Sequence, residues 1–382
     1  MRKTLKYRLY RSERNKHLVG QIELGADIWN HFVEVTRRFY DIYGEYPGYS
    51  KLQDHLTKLK KTSHEHWYHL GSQACQDVIR RLDQSYKQFF SGEQEGRPRF
   101  KKRRKYSSFT LTQSGWKLPE GRSSNRLRIN GKNYKFSLSR PVKGRIKTVT
   151  IKRDPVGDLW VCFSVIQDQP QPELPKTGQP VGIDFGLKTF LVTSDGDRHE
   201  APEHFKTSLK EMAKRQRALS RKKKGSGNWH DAKKRVAKLY RRIANQRRDW
   251  HFKLARELLS KYDTVCIEDL NLAGMKRLWG RKVTDLGYAQ FVEILRHTAR
   301  KEGKAVRQVG RYFASSKTCS GCGEKNYRLD LKDRDWVCTG CGQMHDRDQN
   351  AAINILERAF SSTVDDVRGP HVRVRSDAPV VA

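Results

Sequence analysis

Two closely spaced cysteine pairs constrain this chain more than any other feature. The pairs are Cys319-Ser-Gly-Cys322 and Cys338-Thr-Gly-Cys341, and fifteen residues separate them. This spacing is typical of a ribbon that binds zinc through four thiolates, with each pair on a tight turn. A zinc ion with four cysteine ligands has no open coordination position. We therefore expect one structural zinc ion here, and we expect any chemistry to come from other residues.

The charge of the chain predicts a polyanionic partner. The sequence contains 78 Lys and Arg against 42 Asp and Glu, a formal net charge of +36. This excess is spread along the chain, which favours extended contact with nucleic-acid phosphates. A basic membrane-surface protein is the alternative, but no apolar span or amphipathic anchor supports it. Residues 1–17 do not resemble a secretory signal, and the other three cysteines lie singly, so we expect a cytoplasmic protein without disulfides.

The order of local patterns indicates several domains. Residues 1–10 alternate cationic and apolar side chains like a strand, and residues 21–90 have the apolar periodicity of several helices, broken around 43–48. Short strand patterns follow up to residue 165, and a segment rich in Pro and Gln at 167–179 predicts a linker. Short buried strands and helices then alternate, which is typical of an α/β domain.

Three acidic residues lie at the ends of predicted core elements. Asp184 ends one strand, Glu268 ends a later strand, and Asp346 or Asp348 begins the last helix. Any one of them alone is adequately explained as a strand-end or helix-cap residue. Charged groups are seldom placed beside a core unless they are paired or bind metal, however, so the three together favour a divalent metal site. Two Mg²⁺ ions held in this way hydrolyse phosphodiesters in known enzymes.

The pattern of the last helix separates the two candidate aspartates. Asp346-Arg-Asp-Gln349 has the spacing of a capping box, which makes Asp346 the predicted N-cap. Asp348 lies four residues before Ala352, on the face that packs against the sheet, and is therefore the predicted metal ligand. The buried face of this helix is predicted to comprise Ala352, Ile355, Leu356 and Ala359.

Several motifs along the chain point to one family. They are Gly96-Arg-Pro-Arg-Phe-Lys-Lys-Arg103, Asp184-Phe-Gly-Leu-Lys188, Ile267-Glu-Asp-Leu-Asn271 with Met275, Ser315-Ser-Lys-Thr-Cys-Ser-Gly-Cys322 and Asp346-Arg-Asp-Gln-Asn-Ala-Ala-Ile-Asn-Ile355. Their combination strongly resembles the TnpB family of transposon-encoded, RNA-guided DNA nucleases, which is related to the type V CRISPR effectors. The resemblance covers nearly the whole chain up to residue 360.

The resemblance implies a multidomain α/β protein with an additional β-barrel. The implied parts are a wedge β-barrel domain (1–10 and 97–176), a helical recognition domain (11–96), an RNase H-like RuvC nuclease domain (177–318 and 343–360), an inserted zinc ribbon that binds target nucleic acid (319–342) and a disordered tail (361–382).

The resemblance also implies the chemistry and the partners. The RuvC acidic triad maps onto Asp184, Glu268 and Asp348 without departure, and would hold two Mg²⁺ ions. The implied partners are a guide RNA from the transposon end and double-stranded target DNA, bound by a monomer within the ribonucleoprotein. Base pairing would read the target, and the protein would read a short flanking motif. Candidates for reading this motif by family position are Tyr49, Gln76 and Thr110.

Other basic and polar features leave alternatives open. By composition alone, the basic cluster near residue 100 could be a nuclear localisation patch, but its position between helical and strand regions favours contact with an RNA backbone. His345, after the ribbon, could approach the catalytic metals or be an ordinary loop histidine. Two other functions are compatible with the sequence, namely a nuclease-inactive RNA-guided repressor and a transposase. The backbone-contact candidates in the cluster are Arg99, Lys101, Lys102, Arg103 and Arg104.

Overall fold

The chain divides into two compact units. The computed structural model describes residues 2–119, 124–167, 176–202, 204–310, 313–330 and 332–361. Unit 1 is Met1–Pro170 and unit 2 is Gln171–Ala382. The predicted linker spans this division, and most of it lies outside the described residues, as does the predicted tail beyond residue 361. No helix among the described residues is long and apolar enough to cross a membrane.

Unit 1 begins with the predicted helices. Helix α1 is Asn15–Tyr43, α2 is Gly48–Thr62 and α3 is Ser72–Phe90, and a 3-10 helix at Glu65–Leu70 precedes α3. Helix α1 ends at Gly44, whose φ of 70° places it in the left-handed region, and its N–H donates to the Tyr40 carbonyl. This C-terminal cap explains the helix break that the sequence predicted around residues 43–48.

The strands of unit 1 form two antiparallel sheets. The N-terminal strand β1 (Arg2–Arg8) pairs over its whole length with β7 (Leu159–Ile166), which confirms the strand predicted for the first ten residues. The sheet orders are β1-β7-β6-β2 and β3-β4-β5, and the pairings in the described part of the unit do not close either sheet into a barrel. The strands are β1 (Arg2–Arg8), β2 (Ser108–Leu111), β3 (Trp116–Lys117), β4 (Arg126–Ile129), β5 (Lys132–Lys135), β6 (Arg145–Arg153) and β7 (Leu159–Ile166).

Unit 2 alternates strands and helices around one mixed sheet. Its elements are β8 (Pro180–Asp184), β9 (Leu191–Thr193), β10 (Arg198–His199), α4 (His204–Ser220), α5 (Gly227–Lys261), β11 (Thr264–Glu268), α6 (Leu272–Leu286), α7 (Tyr288–Lys301), β12 (Ala305–Val309), β13 (Asp335–Val337), β14 (Met344–Asp346) and α8 (Arg347–Ser361). The sheet order is β10-β9-β8-β11-β12, and β13 pairs with β14 in a separate hairpin. Strands β8, β11 and β12 are parallel, whereas β9 runs antiparallel to β8. This is the mixed α/β architecture that the sequence predicted for this part of the chain.

Helices cover both faces of this sheet, so its central strands are buried. Val265 and Ile267 of β11 pack with Leu258 of α5 and Phe291 of α7 in one core. Cys266, which points to the opposite face because side chains alternate along a strand, packs with Ile355 of α8 in another. The two faces of the sheet therefore have different neighbours, and α8 packs on the face to which Cys266 points.

Candidate active site and cysteine cluster

The register of the two central strands brings Asp184 and Glu268 together. Strands β8 and β11 pair in parallel from Pro180↔Thr264 to Ile183↔Ile267, so the last residues of both strands lie at the same sheet edge. Side chains alternate along strands, and Glu268 therefore points to the same face as Cys266, towards α8. Asp184 shares its face with Gly182, which lies against α8. Both carboxylates thus lie on the α8 side of the sheet edge.

Helix α8 supplies Asp348 to this edge. Ala352 of α8 lies over Gly182, and Asp348 is one helical turn before Ala352 on the same face. Asp184 is two residues after Gly182 in β8, and it lies on the same side of the contact between Gly182 and Ala352 as Asp348 does. The structure therefore places the three acidic residues predicted from the sequence at one edge. Their carboxylate oxygens do not all approach within 4.8 Å of one another in the part of the chain described.

Burial and mutual repulsion shape the electrostatics of this edge. The pKa of Asp184 rises to about 7, first because it is shielded from water and then because Asp348 and Glu268 are near. Burial also raises the pKa of Glu268 to about 7, with Asp269 adding to the effect. Tyr288 donates its hydroxyl to the Gly186 carbonyl at 2.6 Å, and burial and Asp184 raise its pKa. A carboxylate cluster with these properties favours a bound cation.

Asp346 is the N-cap of α8, as predicted. Its Oδ1 accepts a hydrogen bond from the Gln349 backbone N–H at 2.9 Å, and its Oδ2 accepts from Arg198 at 2.6 Å. The reciprocal half of the predicted capping box is wrong, because the Gln349 side chain donates to the Ser194 carbonyl instead. The predicted buried face is confirmed for Ala352, Ile355 and Ala359, whereas Leu356 is half-buried.

The four cysteines form a compact cluster. Their sulfur atoms all lie within 4.8 Å of one another. Cys319 Sγ is 3.7 Å from Cys341 Sγ, and Cys322 Sγ is 3.6 Å from Cys338 Sγ. A tetrahedron with metal–sulfur bonds of about 2.3 Å has edges of about 3.8 Å. The donor set and its dimensions therefore fit a metal ion with four thiolate ligands, and the predicted pairing of the two motifs in one site is confirmed.

His345 lies in β14, next to the cysteine cluster, and not in a loop. It is buried in β14, its ring lies 4.8 Å from that of Trp336, and its Nε2 is 3.0 Å from Cys319 Sγ. The hypothesis that His345 approaches the predicted catalytic metals has no support in this arrangement, because its Nε2 faces Cys319. The position in β14 orients the ring towards Cys319, so an Nε2–H group can donate a hydrogen bond to its sulfur.

Two asparagines that sequence reasoning missed join α8 to the first cysteine pair. The Asn350 side chain donates to the Thr318 carbonyl at 2.7 Å and accepts from the Ser320 N–H at 2.9 Å. Asn354 donates to the carbonyls of Ser315 and Thr318 at 2.8 and 2.7 Å. Both amides are buried. The spacing of four residues between Asn350 and Asn354 could have identified them from the sequence, because it places two polar side chains on a second face of α8.

Gln76, one of the candidates for reading a flanking motif, lines a cavity. This cavity of about 190 Å³ is lined by Gln53, Lys60, Gln76 and neighbouring residues of α2 and α3. Tyr49 is half-buried and packs against the core of unit 1. Thr110 is buried in β2, where its hydroxyl pairs with Thr150 at 2.9 Å and with Arg81. The structure therefore does not place the Thr110 side chain at an accessible surface.

The basic cluster near residue 100 is fixed to α1 through its backbone. Trp29 Nε1 donates to the Arg99 carbonyl at 3.0 Å, and Asn30 exchanges two hydrogen bonds with the Lys101 backbone. Lys101 Nζ lies 3.2 Å from the centroid of a Trp29 ring, and Arg103 pairs with Asp27 at 2.6 Å. All five predicted side chains are exposed. Within the described part of the chain, no hydrogen bond or ion pair engages the side chains of Arg99, Lys102 and Arg104.

Comparisons with known proteins agree with this arrangement. Residues 162–278 match a family described as "Probable transposase", and residues 288–355 match a family described as "Cas12f1-like, TNB domain". A "Putative RNA-guided DNA endonuclease" of Streptomyces pristinaespiralis is 30% identical over 373 residues, which cover 95% of this chain and 90% of that protein. A "TnpB-like protein" of Acanthamoeba polyphaga mimivirus is 29% identical over 248 residues, covering 58% of this chain and 45% of that protein.

A solved structure shares the fold. The structure described as "Cryo-EM structure of the Cas12f1-sgRNA-target DNA complex" covers 93% of this chain and 98% of its own, with a TM-score of 0.57 and 16% identity. The described elements of this chain are mixed α and β, with a ribbon-like cluster of four cysteines. The chain belongs to the TnpB family, as the sequence motifs indicated.

Proposed function

We propose that this protein is an RNA-guided DNA endonuclease that cuts next to a short flanking motif. The observation that supports the proposal is that Asp184 of β8, Glu268 of β11 and Asp348 of α8 lie at one edge of the sheet. The chain also carries a net charge of +36. The relative from Streptomyces pristinaespiralis, whose name describes an RNA-guided DNA endonuclease, aligns over 95% of this chain. A guide RNA derived from the transposon end would pair with the target, while the protein contacts phosphates.

The three acidic residues suit hard divalent cations. Mg²⁺ prefers oxygen ligands. The pKa values of Asp184 and Glu268 are raised first by burial and then by neighbouring negative charge, which a cation would neutralise. Two Mg²⁺ ions held by Asp184, Glu268 and Asp348 would lower the pKa of a bound water and stabilise the leaving oxygen of a phosphodiester. The contribution of the chain is to hold the carboxylates on one edge and to fix Asp348 through the capped start of α8.

The cysteine cluster suits one structural zinc ion. Four sulfur ligands leave no open position for a substrate, so the ion would stabilise the ribbon and would not take part in hydrolysis. Through Asn350 and Asn354, an ordered ribbon would also hold the helix that carries Asp348. Zinc would therefore affect cleavage indirectly.

The domain roles follow from the same proposal. The two sheets of unit 1 would form the wedge domain (1–10 and 97–176), and its helices the recognition domain (11–96). Residues 177–318 and 343–360 would form the RuvC domain around the ribbon (319–342). Arg99, Lys102 and Arg104 are the basic side chains best placed to contact nucleic-acid phosphates. The cavity beside Gln76 is a better candidate for reading a flanking motif than Tyr49 or Thr110.

The decisive test compares binding with cleavage. Glu268→Gln should abolish cleavage of target DNA in Mg²⁺ while guide-dependent binding to the same DNA remains, because binding rests on pairing and phosphate contacts. Glu257→Gln, which changes an exposed carboxylate on α5, is the matched control and should cut normally. Full cleavage by the Glu268 variant would contradict the proposed site.

The matched family description favours one second candidate, a transposase that joins strands itself. Sequencing the RNA that copurifies with the protein separates the two functions. A guided nuclease should carry one discrete RNA from the transposon end, and a strand-joining transposase should carry none. If a discrete RNA is present but the wild-type protein cuts no target, the protein is an RNA-guided repressor.

A further inference from the structure

The carboxylate of Asp348 is already occupied by a cation of this chain. Arg334 Nη1 donates to both Asp348 oxygens, at 2.8 Å each. The side chain of Asp348 is 14% exposed and that of Arg334 is 45% exposed, so the pair is only partly screened by water. A single nitrogen thus lies between the two oxygens that the proposed function assigns to a metal ion.

The ribbon fixes Arg334 in this position. Arg334 directly precedes β13, and its carbonyl accepts a hydrogen bond from the Arg347 N–H at 2.7 Å. The next residue, Asp335, pairs with Asp346 across the β13–β14 hairpin. Asp346 in turn caps the helix that contains Asp348. Both partners of the ion pair are therefore attached to the same short hairpin, and the contact does not depend on a flexible loop.

A metal ion and Arg334 compete for the same oxygens. Mg²⁺ binds carboxylate oxygens at about 2.0–2.1 Å and usually requires close approach along their lone pairs. A guanidinium nitrogen 2.8 Å from both oxygens blocks the position between them, and two positive charges there would also repel each other. Metal binding in which Asp348 takes part therefore requires Arg334 to move away.

We propose that Arg334 is an internal counter-cation, which holds the Asp348 carboxylate while target DNA is absent and lowers the affinity of the site for divalent metal. The inference rests on the proposed function, because it requires Asp348 to be a metal ligand. Arg334 is a positioning residue in this account. After release, its guanidinium is free to contact a phosphate of the substrate, which provides a favourable partner for it in the target-bound state.

A different role for Arg334, in which it pre-orients Asp348, predicts the opposite effect on metal affinity. If Arg334 only pre-orients Asp348 for the metal, its removal should weaken metal binding. If Arg334 competes with the metal, its removal should tighten metal binding, because the apparent affinity is reduced by the fraction of protein in which the carboxylate is occupied. For such a partly exposed, charge-assisted pair, we expect removal to tighten binding about 3- to 10-fold.

The test measures metal binding at the site without measuring cleavage of DNA. Fe²⁺ is added to the full-length, zinc-loaded protein with its bound RNA but without target DNA, and ascorbate and peroxide then generate radicals that cut the polypeptide beside bound iron. Mass spectrometry locates cuts near residues 184, 268 and 348, and a Mg²⁺ titration that suppresses them gives the apparent Mg²⁺ affinity.

Three variants decide the outcome. Arg334→Gln should shift the Mg²⁺ midpoint to lower concentration, and Lys332→Gln, an exposed cation of the same ribbon, should leave it unchanged. An unchanged or higher midpoint in Arg334→Gln would overturn the inference.

Asp348→Asn tests the proposed function separately, because local cutting should disappear if Asp348 is a ligand. Zinc content equal to wild type shows that each ribbon is folded. Arg334→Met, which removes the charge but keeps a long side chain, replaces Arg334→Gln if that variant loses zinc, with the same expected shift.

Discussion

Gly182 of β8 lies directly beneath the carbonyl oxygen of Ala352 in α8. A Cβ atom added at position 182 would come within 1.9 Å of that oxygen, far inside any real contact distance. The glycine is required here because it lets the helix backbone approach the strand, and not because of an unusual backbone angle. This close approach brings Asp348, one turn earlier in α8, to the edge where Asp184 ends β8.

Gly182→Ala should therefore displace α8 from the sheet. We expect unit 2 to lose about 1–3 kcal/mol of unfolding free energy, the usual cost of overpacking, and cleavage to fall strongly because Asp348 moves. Urea unfolding and a cleavage assay measure the two effects. Gly227→Ala is the control, since a Cβ there meets nothing within 4 Å and should change stability by less than about 0.5 kcal/mol. Full activity in Gly182→Ala would show that the register of α8 does not matter.

Asp346 and Asp348 should differ sharply when each is replaced. Asp346→Ala removes the N-cap hydrogen bond to Gln349 and should cost about 0.5–2 kcal/mol of stability, with part of the cleavage activity retained. Asp348→Asn should leave no cut product at any Mg²⁺ concentration that supports the wild type, because it removes a proposed ligand. Both variants are assayed with the same RNA and target. An inactive Asp346 variant beside an active Asp348 variant would mean that the two roles are exchanged.

Cys338→Ser should remove the metal from the cysteine cluster. The loss of one of four thiolates lowers zinc affinity and unfolds the ribbon locally, so cleavage should fall although no catalytic group has changed. Metal analysis and limited proteolysis between residues 315 and 345 measure the effect. Cys266→Ser, which changes a thiol buried in the sheet, should keep full zinc content. A wild-type protein that contains no zinc would contradict this prediction.

His251 should make unit 2 sensitive to acid. It is fully buried, its Nε2–H donates to the Leu286 carbonyl at 3.1 Å, and burial lowers its pKa to about 4 despite that bond, with Arg247 adding to the shift. Because this pKa lies below that of an unfolded histidine, the unfolded state binds the extra proton. The stability contribution is complete above pH 6.5 and declines towards pH 4, by roughly 3 kcal/mol for this residue.

The measurement for His251 is urea unfolding of wild type and His251→Phe between pH 4.5 and 7.5. Phe is a reasonable replacement because the ring packs against Phe190 and Phe291. The variant should be less stable at pH 7.5, where it lacks the bond to Leu286, but its stability should fall less steeply as the pH decreases. If the unfolding free energies of the two proteins fall equally steeply with decreasing pH, the acid sensitivity does not come from His251.

Local patterns in the sequence determined most of the elements and the candidate ligands. Asp184 and Glu268 end β8 and β11, as the sequence predicted. The cysteine spacing identified a single cluster, because two tight turns can close only one tetrahedron. The cap at Asp346 could also be predicted, since capping depends on residues three apart.

Only the tertiary structure decided which partners these residues have. Arg334 and Asp348 meet because a hairpin folds back onto the start of α8, and Arg198 reaches Asp346 from 148 residues away. Thr110 is not an accessible candidate for reading a flanking motif, because its hydroxyl contacts Arg81 and Thr150. Periodicity and spacing describe neighbours along one element, whereas contacts such as these depend on how separate elements pack. The sequence therefore specified the chemical groups, and the packing of α8 and the ribbon against the sheet specified their arrangement.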